Sequence, residues 1–150
     1  VSRESLFICV GDGENFQSIQ KRLIDEEINN VSLLGSRRNV EEILSICKVG
    51  LLFSPNGEGL SNALIEYCAS GIPVIVSNIG GNKEIVQDGV NGFLLEEDNV
   101  SNVIDRLDYL LKNDRLRNQM GENAKNIVMK ELNINVMFLV QVELIVFHQD

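Results

Sequence analysis

Short apolar runs alternate along the chain with longer stretches in which apolar residues recur at helical spacing. The run LFICV (6–10) stops abruptly at GDG (11–13), which reads as a buried strand entering a tight turn. Phe16, Ile19, Leu23 and Ile24 then recur at helical spacing and predict a helix over 14–27. A short strand over 31–34 is closed by Gly35. Asn39 is placed to cap a helix running through Val40, Ile43, Leu44 and Cys47. A third strand is expected over 50–53, then the loop SPNGEG (54–59) and a helix over about 61–70. Gly71 ends that helix, and PVIVS (73–77) reads as a fourth strand. The Gly80-Gly81 turn leads into a short helix near 83–86, and Gly89 and Gly92 flank a turn before a small strand over 93–95. Three helices are expected after residue 97, over 100–113, 114–130 and 136–147, with no further strand.

Four or five buried strands, each returned through a helix, predict an α/β fold: a Rossmann-like parallel sheet flanked by helices, carrying a helical C-terminal tail. The expected division is a sheet core over about 1–97 and a tail over about 98–150. In such sheets ligands sit beyond the carboxyl ends of the strands, so the loops to inspect are GDGE, GSRR, SPNGEG and NIGG. No internal repeat and no Pro/Ser linker divides the chain.

Composition narrows the function classes. The 150 residues carry a net charge of −9, which argues against nucleic acid as a partner, since a polyanion would be repelled. Three widely spaced cysteines, Cys9, Cys47 and Cys68, each lie in an apolar run, and the one histidine is His148. That set fits neither a Cys/His metal site nor a Cys–His nucleophile pair. The free-thiol pattern and the absence of a long apolar span predict a cytoplasmic domain. Membrane association, if any, would come through the rest of a parent protein.

Two glycine-rich turns compete for the chemistry. Gly11-x-Gly13 follows a strand, but a dinucleotide fingerprint needs a small residue where Phe16 stands. A structural turn, with Asp12 as a turn residue, is the favoured reading there. No P-loop sequence occurs. In SPNGEGLSN (54–62), Gly57 and Gly59 let the backbone come close to a ligand. The amides of Gly59, Leu60, Ser61 and Asn62 lead into a helix N-terminus, which suits a phosphate. Asn62 and Glu66 are four apart and share a helix face. A carboxylate accepts from two adjacent hydroxyls, so Glu58 and Glu66 are candidates for a sugar diol and a ribose diol. The opposing reading makes Glu58 a solvated loop residue, Ser61 an ordinary cap and Glu66 a residue on a wet face.

Glu58-GLSNALI-Glu66, a glutamate, seven residues and a glutamate, resembles the donor-binding motif of GT-B glycosyltransferases of the family 4, or group 1, type. The likeness extends to VGDGE (10–14), to VSLLG (31–35), to the whole stretch from LLFSPNGEG to GFLL, and to LDYLLKNDRLRNQMGENAKNIV in the tail. It covers about residues 6–128.

The resemblance implies a C-terminal domain that binds a nucleotide-sugar donor, within an enzyme that transfers a hexose-type sugar with retention of configuration and without a metal. Glu58 would be the catalytic residue and would hold donor-sugar hydroxyls. Gly59, Leu60, Ser61 and Asn62 would offer amides to the sugar and diphosphate, and Glu66 would bind the ribose. Ser36 and Arg37 match the position where the nucleobase is read, although Arg37 and Arg38 are equally well read as solvated. Gly80, Gly81 and Glu84 match the family's GG-x-x-E and read as a turn and helix start that support the site. The resemblance further implies a missing N-terminal domain, which would carry an acceptor glycan or a lipid-linked acceptor. A missing first strand and helix would carry an Arg and a Lys that neutralise the diphosphate. On that reading the 150 residues are inactive alone. A non-catalytic nucleotide-sugar-binding or interaction module is the alternative.

Overall fold

A computed structural model describes residues 5–53, 59–96, 100–131 and 144–148. The elements run β1 (Ser5–Cys9), α1 (Phe16–Asp25), β2 (Val31–Leu33), α2 (Val40–Leu44), β3 (Val49–Leu52) and α3 (Asn62–Ala69). They continue through β4 (Val74–Ser77), α4 (Asn82–Ile85), β5 (Gly92–Leu95), α5 (Val100–Lys112), α6 (Asp114–Glu131) and β6 (Leu144–His148). The expected alternation of strand and helix through residue 131 is present, with shifts of a few residues at element ends.

The six strands form one sheet in the order β2-β1-β6-β3-β4-β5. The pairs β1–β2, β3–β4 and β4–β5 are parallel, as the helical crossovers require. β6 is antiparallel to both of its neighbours, with Phe7 opposite Val146 on one side and Val49 opposite Val146 on the other. Here the structure corrects the sequence reading. A helix was expected over 136–147 and no strand after residue 97, yet 144–148 is a central strand. LIVFH is apolar almost throughout, so its periodicity does not separate a buried strand from a buried helix, and the slot between β1 and β3 decides. Residues 132–143 lie outside the described residues.

Both faces of the sheet are covered, and successive residues of β3 and β4 serve opposite faces. Leu52, Val74 and Val76 join Ala63, Leu64, Tyr67 and Cys68 of α3 and Ala124 and Val128 of α6 in one core layer. Val49, Leu51 and Ile75 join Phe93, Leu107, Leu110 and Met120 in the other. Tyr67 is fully buried and packs against Gly50 of β3. A Cβ on Gly50 would stand 2.6 Å from the Tyr67 ring, so the ring and the bare backbone fit only because residue 50 is glycine. This contact seats α3 on the sheet. Among the described residues no helix is long and apolar enough to cross a membrane.

Candidate donor site at the start of α3

α3 begins beyond the carboxyl end of β3, the side of a parallel sheet on which ligands are bound. Ser61 has the extended backbone of an N-cap residue (φ −74°, ψ 132°), yet its side chain makes no capping hydrogen bond. The reading of Ser61 as an ordinary side-chain cap is therefore not met: its hydroxyl does not satisfy the amides of the first turn. Those amides and the helix dipole give this end a partial positive charge.

Glu66 lies on α3 four residues after Asn62. The residue is half-buried, and both of its carboxylate oxygens lie below the solvent-accessible surface. It does not stand on a wet face. Gly59 is exposed, while Leu60, Ser61 and Asn62 are half-buried, so the segment rises from the surface into the fold over four residues. Glu58, with 54–57, lies outside the described residues. Deeper in α3, burial pushes the Cys68 thiol up to about 12, which leaves it an apolar packing group.

The turn after β4 meets this segment directly. A Cβ on Gly81 would stand 2.8 Å from the Leu60 nitrogen and 3.0 Å from both the Gly59 carbonyl carbon and Leu60 Cα. Backbone therefore packs on backbone where the Gly80-Gly81 turn meets the Gly59–Leu60 segment. The Asn82 side chain, 5% exposed, donates a 3.0 Å hydrogen bond to the Ser77 carbonyl and ties this turn to the end of β4. Glu84 is exposed; its backbone amide donates to the Gly81 carbonyl at 3.0 Å within the turn. Sequence reasoning passed over Asn82 and Ser77. A polar residue directly after a Gly-Gly turn, at the first position of a helix, was the available signal.

The other candidate loops stand nearby in the topology but make different contacts. The Gly11 amide donates to the Gly35 carbonyl at 3.0 Å, joining the β1–α1 turn to the loop after β2. Ser36, Arg37 and Arg38 on that loop are exposed, as are Asp12 and Glu14. Asn39 occupies the N-cap position of α2, but its side chain donates to the Glu42 carboxylate at 2.8 Å instead of capping an amide. Among the described residues no group of three or more His, Cys, Asp or Glu side chains is arranged to hold a metal ion.

The family model for glycosyl transferases group 1 matches residues 3–127. The chain belongs to the glycosyl transferases group 1 family. Among its relatives, the N-acetyl-alpha-D-glucosaminyl L-malate synthase of Bacillus anthracis is 33% identical over 129 residues, covering 85% of this chain and 34% of the relative. A UDP-Gal:alpha-D-GlcNAc-diphosphoundecaprenol alpha-1,3-galactosyltransferase of Escherichia coli is 34% identical over 141 residues, covering 87% of this chain and 34% of the relative. The chain thus spans about a third of the length of these glycosyltransferases. The crystal structure of TarM superposes with a TM-score of 0.74 at 28% identity, over 83% of this chain and 25% of that one. Anabaena HepE in complex with UDP superposes with a TM-score of 0.75 at 23% identity over 82% of this chain and 35% of that chain, a likeness of fold. The α/β architecture of this group 1 chain is the one these GT-B glycosyltransferase structures share.

Proposed function

We propose that the chain is the donor-binding half of a retaining glycosyltransferase that moves a hexose-type sugar from a nucleoside diphosphate to an acceptor. The observation that carries this reading is the N-terminus of α3. It opens beyond the carboxyl ends of the strands, Ser61 leaves its first-turn amides without a side-chain cap, and Glu66 stands one turn inside. In this reading the amides of Gly59, Leu60, Ser61 and Asn62 receive the diphosphate and the donor sugar, where dipole and donors favour an anion. Glu66 accepts from the ribose hydroxyls, and Glu58 holds the sugar hydroxyls as the catalytic residue of the family motif. Ser36 and Arg37 lie on the loop that would read the base.

Transfer needs the charge building on the leaving diphosphate to be stabilised in the transition state. Helix amides supply part of that stabilisation. The rest, and the acceptor site, belong in this proposal to a partner N-terminal domain and to an Arg–Lys pair outside the 150 residues. The chain alone is then a binding domain without transferase activity, needing neither metal nor cofactor, and its parent works in the cytoplasm. Support for a nucleotide donor comes from a relative whose name carries UDP-Gal and from fold neighbours solved with UDP.

The test is ligand-observed NMR of the chain with UDP, GDP, ADP and NAD, repeated on Glu66→Ala. One nucleoside diphosphate should bind and should lose at least tenfold in affinity in the variant, as expected for losing two charge-assisted hydrogen bonds, each worth about 1.5–3 kcal/mol. Preference for NAD, or binding indifferent to Glu66→Ala, would overturn the site.

A further inference from the structure

We infer that the Gly81–Asn82 turn is a positioning device for the Gly59–Leu60 backbone, and so sets how tightly the α3 N-terminus grips a diphosphate. The inference rests on the donor-site reading above; Gly81 belongs to the GG-x-x-E stretch, whereas Asn82 stands at one of its variable positions and Ser77 lies outside it. Three links carry it. Asn82 is buried and donates through Nδ2 to the Ser77 carbonyl at 3.0 Å, which fixes the turn to the rigid end of β4. The Glu84 amide donates to the Gly81 carbonyl at 3.0 Å and the Asn82 amide to the Ile79 carbonyl at 3.3 Å, which holds the turn's own shape. Gly81 is buried, and a Cβ there would stand 2.8 Å from the Leu60 nitrogen, with backbone atoms on both sides of the contact.

Backbone has no rotamer with which to escape such an overlap. A methyl on Gly81 would therefore move Leu60 by several tenths of an ångström or displace the turn from β4. Amides that bind an oxyanion lose their advantage when their direction and distance change by that much, because the hydrogen bond weakens steeply with angle. The nucleoside end, held by Glu66 on the next turn and by the loop after β2, lies beyond this contact. The expected consequence is selective: loss of grip on the second phosphate with the nucleoside still bound.

The measurement is the dissociation constant of the 150-residue chain for UDP, GDP and ADP and for their monophosphates, with backbone amide spectra of the unliganded protein. Gly81→Ala should lower diphosphate affinity about tenfold, one charge-assisted hydrogen bond's worth, while changing monophosphate affinity less than twofold. It should also shift the Gly59, Leu60 and Ser61 amide resonances. Asn82→Asp, which removes the donor to Ser77, should do the same more weakly and covers the case in which Gly81→Ala fails to fold. Gly89→Ala is the control. Gly89 has φ +73° and nothing within 4 Å of its Cβ position, so the variant carries backbone strain without the contact. It should leave the diphosphate-to-monophosphate ratio unchanged. If the unaltered chain binds no diphosphate, the donor-site reading falls and the turn is left as packing. If it discriminates and both variants keep its ratio, the positioning role alone is overturned.

Discussion

Gly121 of α6 rests directly on the carbonyl of Gly71, so that a Cβ at residue 121 would overlap the Gly71 oxygen. Gly71 is the left-handed residue that ends α3 (φ +73°), with the Ile72 amide donating to the Tyr67 carbonyl and the Gly71 amide to Cys68, both at 3.0 Å. Two bare backbones thus meet where the helix bearing Glu66 ends and α6 crosses it. Gly121→Ala should cost about 1–3 kcal/mol through overpacking, read as a drop in thermal midpoint of several degrees. An unchanged midpoint would mean that α6 is not clamped there.

Glu27 takes the same place after α1 that Gly71 takes after α3, but it is not glycine. Its φ is +52°, and the Ile28 amide donates to the Leu23 carbonyl at 2.8 Å and the Glu27 amide to Ile24 at 3.2 Å. A non-glycine residue in the left-handed region costs about 1 kcal/mol. Glu27→Gly is expected to raise stability by roughly that amount in urea denaturation. A lower midpoint would show that the Glu27 side chain contributes more than its backbone costs.

Arg117 joins α5 to α6. Its guanidinium donates to the carbonyls of Leu110 and Leu111 at 3.1 and 3.3 Å and pairs with Asp114 at 2.7 Å, with the side chain 9% exposed. It serves as a cap for the last turn of α5, where the Leu110 carbonyl also accepts from the Asn113 amide at 3.3 Å. Arg117→Met keeps most of the apolar stem and removes the donors, and should cost about 2–3 kcal/mol. Hydrogen exchange should quicken at the end of α5 before it does in β3. Equal protection across both segments would contradict the capping role.

The thiols give a prediction in pH. Burial pushes Cys47 and Cys68 up to about 12 from 9.0, and Cys9 in the same direction. The folded pKa values stand above the unfolded ones, so the stability these groups contribute is fully present below pH 9 and is lost as pH rises toward 12. Alkylation by iodoacetamide at pH 8 should be slow for all three thiols and should become fast only in denaturant. Rapid labelling of Cys68 in the folded chain would refute its burial.

Val146 is paired on both sides, with Phe7 and with Val49. Proline in a central strand removes a ladder donor and fits poorly there. Val146→Pro should therefore abolish the cooperative unfolding transition or shift its urea midpoint far down, whereas the same substitution in a surface helix would disturb only that helix. A midpoint close to that of the unaltered chain would remove β6 from the sheet.

By itself, the sequence determined the alternation of strands and helices from residue 5 to 131, because period and turn residues are local. It also placed the glycine-flanked entrance to α3, the spacing of Asn62 and Glu66, and the family to which the chain belongs. Tertiary structure decided what depends on a partner far along the chain. LIVFH became an antiparallel strand because a slot lay open between β1 and β3, a fact absent from those five residues. Asn39 and Ser61 fill cap positions but make no capping bonds, since a cap depends on where the side chain finds a better partner or none. Gly50, Gly81 and Gly121 read alike as glycines. Only packing shows that the first accepts the Tyr67 ring, the second the Leu60 backbone and the third the Gly71 carbonyl, because close approach is a property of two segments at once.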